Sequence, residues 1–223
     1  MTLGTRVDFM QGLFAKVKRN YASRMDPEEK AHSVAVASKF GQEYWDGERR
    51  YGFGGYTYDG RWRPLVEELV RHYNLRAGDR VLEIGCGKGY LLYEFTQAVP
   101  GITVAGLDIS SYAIEHGKEE LRGSLQVGSA VSLPYADDDF DLVISFNTLH
   151  NLGIADLFTA IGEVERVGSR SKFISVESFR DEREKTNLLY WQLTCKSFYS
   201  IDDWEWIYGR AGYTGDYGFV FFE

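Results

Sequence analysis

Three glycines separated by single residues form the segment of the sequence best suited to bind a ligand. Gly85, Gly87 and Gly89 follow the apolar run at residues 81–84 and precede a stretch with helical spacing that starts at Tyr90. Glycines between a strand and a helix let the backbone approach a ligand and direct amide N–H groups toward it. The segment therefore predicts a binding loop at the end of a strand.

The neighbouring residues indicate which ligand this loop suits. A GxGxxG dinucleotide loop requires glycine or alanine where this chain has Tyr90. Glu83, at the end of the same strand, would repel a pyrophosphate and attract an ammonium or sulfonium group. Asp108 follows Gly87 by 21 residues, close to the roughly 20-residue offset of an acid that binds ribose hydroxyls. The pattern predicts a ribose-containing cation and counts against NAD.

Strand-like and helix-like stretches alternate from residue 80 onward and predict how these residues are positioned. Such alternation is typical of an α/β fold with a doubly wound, mostly parallel sheet, in which ligands bind beyond the carboxyl ends of the strands. Strands are expected at residues 81–84, 103–107, 125–127, 142–146, 173–176 and 217–222. Helices are expected near residues 10–21, 27–40, 65–73, 90–97, 111–121, 154–167, 187–199 and 201–211.

The 223 residues are expected to form one domain with three parts. Residues 1–78 would supply N-terminal helices and a lid loop at 51–62 that is rich in glycine and aromatic residues. Residues 79–177 would form the ligand-binding core. Residues 178–223 would supply helices that cap the sheet and the last strand, and the charged run at 180–185 is expected to be solvated.

Charge and composition exclude several classes of partner. The net charge is −8, which would repel a nucleic acid backbone. No stretch approaches the roughly 20 apolar residues of a membrane span, so neither membrane nor nucleic acid is an expected partner. The two cysteines lack a zinc or redox spacing, which indicates a reducing compartment and a cytoplasmic location. No metal site is expected, and the acids at 137–139 are interpreted as a solvated turn.

Over residues 80–177 the sequence resembles the class I S-adenosylmethionine (SAM)-dependent methyltransferases, which have a Rossmann-like fold. The resemblance implies SAM as cofactor and S-adenosylhomocysteine (SAH) as product. Ser129 stands where the family often has an aspartate that binds the adenine amino group, so a weaker hydrogen bond is expected there. The resemblance assigns cofactor contacts to Glu83, Gly85, Cys86, Gly87, Gly89, Asp108, Ile109, Ser129, Ala130 and Asn147.

The substrate side is predicted from fewer residues. His150 follows the fourth strand, at the functional end of the sheet, and as a general base it could take a proton from an attacking hydroxyl or amine. The alternative is a histidine that packs in the wall. The aromatic loop and the segment after residue 177 provide a lid, and the predicted substrate contacts are Tyr58, Arg61, Trp62, Tyr190 and Tyr199. A core-packing loop with solvated arginines is the competing interpretation.

The resulting hypothesis is methyl transfer to an oxygen or nitrogen of a small polar metabolite, such as a sugar, a phosphorylated compound or a secondary-metabolite intermediate. A catalytically silent SAM-binding or regulatory subunit would share every cofactor motif, and an NAD-dependent oxidoreductase is the weaker alternative. The family commonly closes its sheet with two antiparallel strands, but only one is found here. We therefore expect a shortened edge or one completed by a second copy in a homodimer.

Overall fold

The structure, a computed structural model, describes residues 2–9, 20, 21 and 26–223. The helix expected at residues 10–21 lies outside the described residues except for Asn20 and Tyr21. A six-stranded sheet forms the centre of the described part, with the strand order β3-β2-β1-β4-β5-β6 and every neighbouring pair parallel. The strands are β1 (Arg80–Ile84), β2 (Thr103–Asp108), β3 (Leu125–Val127), β4 (Phe140–Phe146), β5 (Gly168–Glu177) and β6 (Asp216–Val220).

Helices cover both faces of this sheet, which confirms the predicted doubly wound α/β fold. Short 3₁₀ turns at Glu119–Leu121 and Leu149–Asn151 complete the connections. The α-helices are α1 (Pro27–Ala37), α2 (Gln42–Trp45), α3 (Arg63–Tyr73), α4 (Tyr90–Ala98), α5 (Ser111–Glu115), α6 (Ile154–Val167), α7 (Glu182–Trp191) and α8 (Ile201–Ala211).

The central strands β1 and β4 are largely apolar, as is typical of a sheet buried on both faces. In β1, Val81 belongs to the core cluster that contains Leu69 of α3 and Phe95 of α4. The next residue, Leu82, belongs to the opposite cluster, which includes Trp204 of α8. Alternate residues of β1 thus pack against the helices on opposite faces of the sheet. The carboxyl ends of the parallel strands lie together at one edge of the sheet.

The outer edge of β6 differs from the expectation. β6 runs parallel to β5, so the described residues contain no antiparallel closing pair. Residues 5–7 lie along the outer edge of β6 instead: the amide of Val7 donates to the carbonyl of Tyr217, and the amide of Tyr217 donates to the carbonyl of Thr5. The N-terminal segment therefore covers the position for which we considered a second subunit.

Two helix predictions were wrong in extent. The helix expected at 111–121 ends at Glu115 with His116 as its C-cap, and a separate 3₁₀ turn at Glu119–Leu121 follows. The helix expected at 187–199 starts earlier, because the side chain of Asp181 caps α7 by accepting the amide of Glu184. Glu184 is buried and paired with Arg180, so the charged run is not fully solvated. After Trp191 the chain continues without helix to residue 200.

Among the described residues, no helix combines the length and the apolar character needed to cross a membrane.

Candidate functional site

A cavity of about 410 Å³ opens at the carboxyl ends of β1, β2 and β4. The glycine loop and the strand ends form its floor, and residues 40–62, called the lid below, cover it. The lining residues are Phe40, Tyr44, Trp45, Phe53, Tyr56, Arg61, Trp62, Glu83, Ile84, Gly85, Cys86, Gly87, Leu91, Leu107, Asp108, Ile109, Gly128, Ser129, Ala130, Phe146, Asn147, Thr148, Asn151, Leu152 and Lys196.

Close approach of neighbouring groups explains two glycines of the loop. Gly85 has φ +80°, and a β-carbon there would lie 2.0 Å from Thr148 Oγ1. Gly87 has φ +53°, and its β-carbon would lie 2.8 Å from the Trp45 ring. Both positions therefore require glycine for conformation and for space. A β-carbon at Gly89 would instead contact the side chain of Leu125, and Gly89 is not part of the cavity lining.

Asp108 holds the glycine loop in place. Its Oδ2 accepts a hydrogen bond from the amide of Gly87 at 2.8 Å, and its Oδ1 accepts one from the amide of Ser110 at 2.8 Å. Burial raises the pKa of the carboxyl group, and these two amides oppose that shift. Asp108 therefore connects the end of β2 to the ligand loop after β1.

Glu83 is a buried acid at the cavity floor. One of its carboxylate oxygens, Oε2, has no hydrogen-bond partner among the described residues. Burial, and then the charge of Asp108, raise the pKa of Glu83 well above its usual range. Two acids so close to one cavity favour a ligand that carries positive charge. A sulfonium nucleoside with an ammonium group and a ribose fits this requirement.

The other residues expected to contact the cofactor lie along the same cavity. Ile109, Ser129 and Ala130 line the side beyond β2 and β3, and Ile109 is 58% exposed. The Ser129 hydroxyl accepts a long hydrogen bond of 3.4 Å from the amide of Val131. Asn147 follows β4 with φ +51° and also lines the cavity.

An ion pair fastens the lid to the glycine loop. Lys88, between two of the loop glycines, donates to both carboxylate oxygens of Asp46 at 2.7 and 2.8 Å, and to the carbonyl of Tyr56 at 2.9 Å. Its side chain is only 5% exposed. Burial opposes ionisation of Asp46, but the hydrogen bonds from Lys88, the Tyr56 amide and the Tyr112 hydroxyl together lower its pKa. Trp45 adds a hydrogen bond of 2.9 Å from Nε1 to Ser110 Oγ.

Aromatic rings form most of the underside of the lid. Trp45 and Phe53 stack with centroids 5.1 Å apart, and Tyr56 lies 4.6 Å from Phe53. Burial raises the pKa of the Tyr44 and Tyr56 hydroxyls. Both phenols therefore stay neutral at physiological pH.

Two cations reach the cavity from different elements. Arg61 lines it from the lid, but its guanidinium is held by Asp59 at 2.6 Å. Lys196 lines it from the segment after α7, and its ammonium has no ion-pair or hydrogen-bond partner among the described residues. Trp62, one of the residues predicted to contact the substrate, lines the same cavity.

Several predicted substrate residues lie outside the cavity lining. The Tyr58 hydroxyl donates to Glu94 at 2.6 Å, and Glu94 also accepts from Arg63, so this tyrosine anchors the end of the lid. Tyr190 is part of α7, and its carbonyl accepts from Lys30. Tyr199 packs edge-on against Trp204 at 5.4 Å.

His150 is also absent from the lining. It is 2% exposed, and burial lowers its pKa to about 3, so the imidazole is neutral at physiological pH. Its carbonyl accepts the amides of Lys196 and Ser197, and its Nε2 lies 3.5 Å from Glu177 Oε2. The structure thus places the imidazole in the wall, between the turn after β4 and the segment after α7.

His150, Glu177 and Cys195 form a group with metal-ligand chemistry. Each offers one ligand atom, and the three atoms lie within 4.8 Å of one another. No metal was expected from the sequence because 27 and 18 residues separate these positions, which matches no local ligand motif.

Some lining residues were not predicted from the sequence as ligand contacts. Tyr44 and Trp45 precede the glycine-rich loop. They are two adjacent aromatic residues in a polar stretch, and this feature could have indicated a ligand contact. Thr148, Asn151 and Lys196 carried no distinguishing pattern. The amides of Lys196 and Ser197 donate to the carbonyl of His150, which joins this segment to the turn after β4.

The sequence and the fold are similar to known methyltransferases. A family model described as "Methyltransferase domain" matches residues 75–212. A demethylmenaquinone methyltransferase of Symbiobacterium thermophilum is 30% identical over 157 residues, which are 65% of this chain and 60% of that protein. The 27-O-demethylrifamycin SV methyltransferase of Amycolatopsis mediterranei is 30% identical over 131 residues, 56% of this chain and 45% of that protein. The chain thus spans about half to three fifths of these relatives' lengths.

Solved structures share the fold. The YcgJ protein of Bacillus subtilis superposes with a TM-score of 0.53 at 23% identity, covering 66% of each chain. A structure described as a putative sarcosine dimethylglycine methyltransferase from Galdieria sulphuraria gives a TM-score of 0.55 at 15% identity, covering 68% of this chain and 59% of that one.

Proposed function

Because the chain belongs to the methyltransferase domain family of class I SAM-dependent enzymes, we propose that it methylates an oxygen or nitrogen of a small polar metabolite that carries a negative charge. SAM is the methyl donor and SAH the product. The observation that supports the finer part of this proposal is Lys196, an exposed lining residue whose ammonium has no anionic partner among the described residues.

We assign the cofactor to the floor of the cavity. Glu83 and the loop of Gly85 and Gly87 suit the cationic methionine end, and the Asp108 carboxylate suits the ribose hydroxyls. Ser129 and Ile109 then lie toward the adenine. The unpartnered Glu83 oxygen and the raised pKa of its carboxyl group support a cation here.

The acceptor occupies the remaining space between the lid and the turn after β4. Lys196 and the edge of Arg61 favour a carboxylate or phosphate on the acceptor. Trp62 and Tyr56 offer ring faces for stacking on a sugar or another ring. A sugar, a phosphorylated compound or a secondary-metabolite intermediate meets these conditions. The menaquinone and rifamycin relatives support an acceptor of small-molecule size.

Transfer depends mainly on position. The protein holds the acceptor atom in line with the sulfonium methyl group and excludes water beneath the lid. We propose that His150 supports the cavity wall instead of taking the acceptor proton, since it is not part of the lining. The net charge of −8 supports a small acceptor over a nucleic acid.

A paired acceptor panel tests this function. Small hydroxylated and amino compounds, each supplied with and without a carboxylate or phosphate group, are incubated with the protein and SAM labelled in the methyl group. Turnover is expected for anionic members and to be at least tenfold slower for their neutral counterparts. Equal turnover of both classes contradicts the anionic acceptor. Turnover of neither class, with SAM bound, contradicts the enzyme function and favours a silent cofactor-binding subunit.

Replacing Lys196 by methionine is expected to raise KM for the anionic acceptor about 10- to 100-fold. A hydrogen bond to a charged group contributes about 1.5–3 kcal/mol, which corresponds to this range. SAH affinity should stay unchanged, because Lys196 lies on the acceptor side. Lys185→Met, on α7 and outside the cavity lining, is the control. An unchanged KM in Lys196→Met would remove the basis for the anionic acceptor.

A further inference from the structure

We propose that His150, Glu177 and Cys195 bind one divalent transition-metal ion of the zinc class in the wall behind the acceptor side of the cavity. This site is separate from the cofactor site and goes beyond the methyl transfer proposed above.

The donor types match the ion. Imidazole nitrogen, carboxylate oxygen and thiolate sulfur are the three ligand classes of zinc, and three protein ligands leave a fourth position for water. One thiolate and one carboxylate balance the charge of a divalent ion, while the imidazole stays neutral. A complex without net charge suits a site where His150 is 2% and Glu177 7% exposed.

The spacing supports coordination more than direct pairing. A tetrahedral zinc ion with bonds of 2.0–2.3 Å separates its ligand atoms by about 3.4–3.6 Å. His150 Nε2 and Glu177 Oε2 are 3.5 Å apart, whereas a charge-assisted hydrogen bond between such atoms is about 2.7–2.9 Å. The Cys195 sulfur completes a triangle in which no distance exceeds 4.8 Å. Glu177 Oε2 also accepts a hydrogen bond from Gln192 Nε2, which the ion would displace.

Metal binding would change the protonation of the His150 and Cys195 side chains. A neutral imidazole carries one ring proton, so its other nitrogen can bind a metal. A metal binds the thiolate form of cysteine, so the ion displaces the proton of the Cys195 thiol. The amide of Glu177 donates a long hydrogen bond of 3.4 Å to His150 Nδ1. A metal at Nε2 leaves the ring proton on Nδ1, so this hydrogen bond is lost and the ring turns away from the amide when the ion binds.

The position suggests a consequence for the cavity. Cys195 precedes Lys196, and His150 precedes Asn151, and both following residues line the cavity. A metal that joins these segments to the end of β5 would fix the acceptor side of the cavity without contacting the cofactor.

Titration of the chelator-treated full chain with Co²⁺ tests this site. We expect one equivalent to bind with visible bands of a tetrahedral complex and a near-ultraviolet thiolate-to-cobalt band, and Zn²⁺ to displace it. Cys195→Ser should remove the thiolate band, and His150→Gln should weaken binding more than about 100-fold, beyond the effect of an outer-shell change. Cys86→Ser, which replaces the other cysteine, should keep both signals.

The outcomes separate the alternatives. Wild type without a stoichiometric complex, or a thiolate band that survives in Cys195→Ser, overturns the proposal. SAH binding by Cys195→Ser reports that this variant is folded, and the wild-type titration alone decides the question if the variant does not fold. Because the readout is metal uptake, failure of the site leaves the methyltransferase function untouched.

Discussion

Gly85→Ala is expected to lower the affinity for SAH at least about 100-fold. The left-handed φ of +80° costs an alanine about 1–2 kcal/mol. Its β-carbon would also lie 2.0 Å from Oγ1, 2.4 Å from Cγ2 and 2.6 Å from Cβ of Thr148, so the whole threonine side chain must move. Thr148 lines the cavity and leads into the turn that carries Asn151, and its displacement distorts the floor on which the cofactor lies. Calorimetric titration with SAH measures the effect.

Gly212→Ala is the matched control for backbone strain. Gly212 ends α8 with φ +74°, and a β-carbon there meets no atom within 4 Å. This variant should lose about 1–2 kcal/mol of stability and bind SAH as wild type does. Similar SAH affinities of the Gly85→Ala variant and the control would show that close packing at Gly85 does not shape the cofactor site.

Asp46→Ala is expected to destabilise the protein by about 3 kcal/mol, the lower end of the range for breaking a buried ion pair. The loss arises because the Lys88 ammonium, with 5% exposure, loses its carboxylate partner. Asp46 keeps 26% exposure, which favours the lower end. For a chain of this size the melting temperature should fall by about 6–12 °C. The lid also loses its attachment to the glycine loop, so SAH should dissociate faster.

Two further variants separate a buried charge from a general loss at this position. Glu48→Ala breaks the exposed pair with Arg50 in the same lid and should cost no more than about 1 kcal/mol. Adding Lys88→Met to Asp46→Ala should restore part of the stability, because the uncompensated charge is removed. Equal melting temperatures for Asp46→Ala and Glu48→Ala would contradict a buried ion pair that holds the lid.

The core of the fold was predictable because its strands and helices have strong local patterns. Helix α6 was predicted at its observed bounds, since apolar residues recur at helical spacing between Gly153 and Gly168. The glycine loop and Asp108 were recognised for a similar reason: the binding loop lies within a few residues of a strand end. Sequence patterns therefore predict best the contacts between residues that are close in the chain.

The side-chain positions that the sequence could not predict depend on packing between residues far apart in the chain. Tyr58 looked like a substrate contact among the aromatics of its loop, but the buried carboxylate of Glu94, 36 residues away, binds its hydroxyl. His150 follows the expected strand yet points into the wall, where its neighbours come from β5 and the segment after α7. Backbone hydrogen bonds that no spacing indicates join the segment of Lys196 to His150.

The edge of the sheet at β6 also depends on contacts between distant parts of the chain. The single final strand was predicted, but its parallel direction depends on the crossover through α7 and α8. The hydrogen bonds of residues 5–7 to Tyr217 join segments at opposite ends of the described chain. Pairing of this kind depends on which segments meet in the folded chain. The sequence of residues 5–7 does not indicate it.

The central claim is that the cavity binds SAM through Asp108. Calorimetric titration of wild type, Asp108→Ala and the exposed control Asp156→Ala with SAH, SAM and NADH tests it most directly. We expect micromolar binding of SAH and SAM to wild type and the control, loss of both in Asp108→Ala, and no binding of NADH. Wild-type protein that binds neither sulfur compound, or that binds NADH instead, would contradict the account.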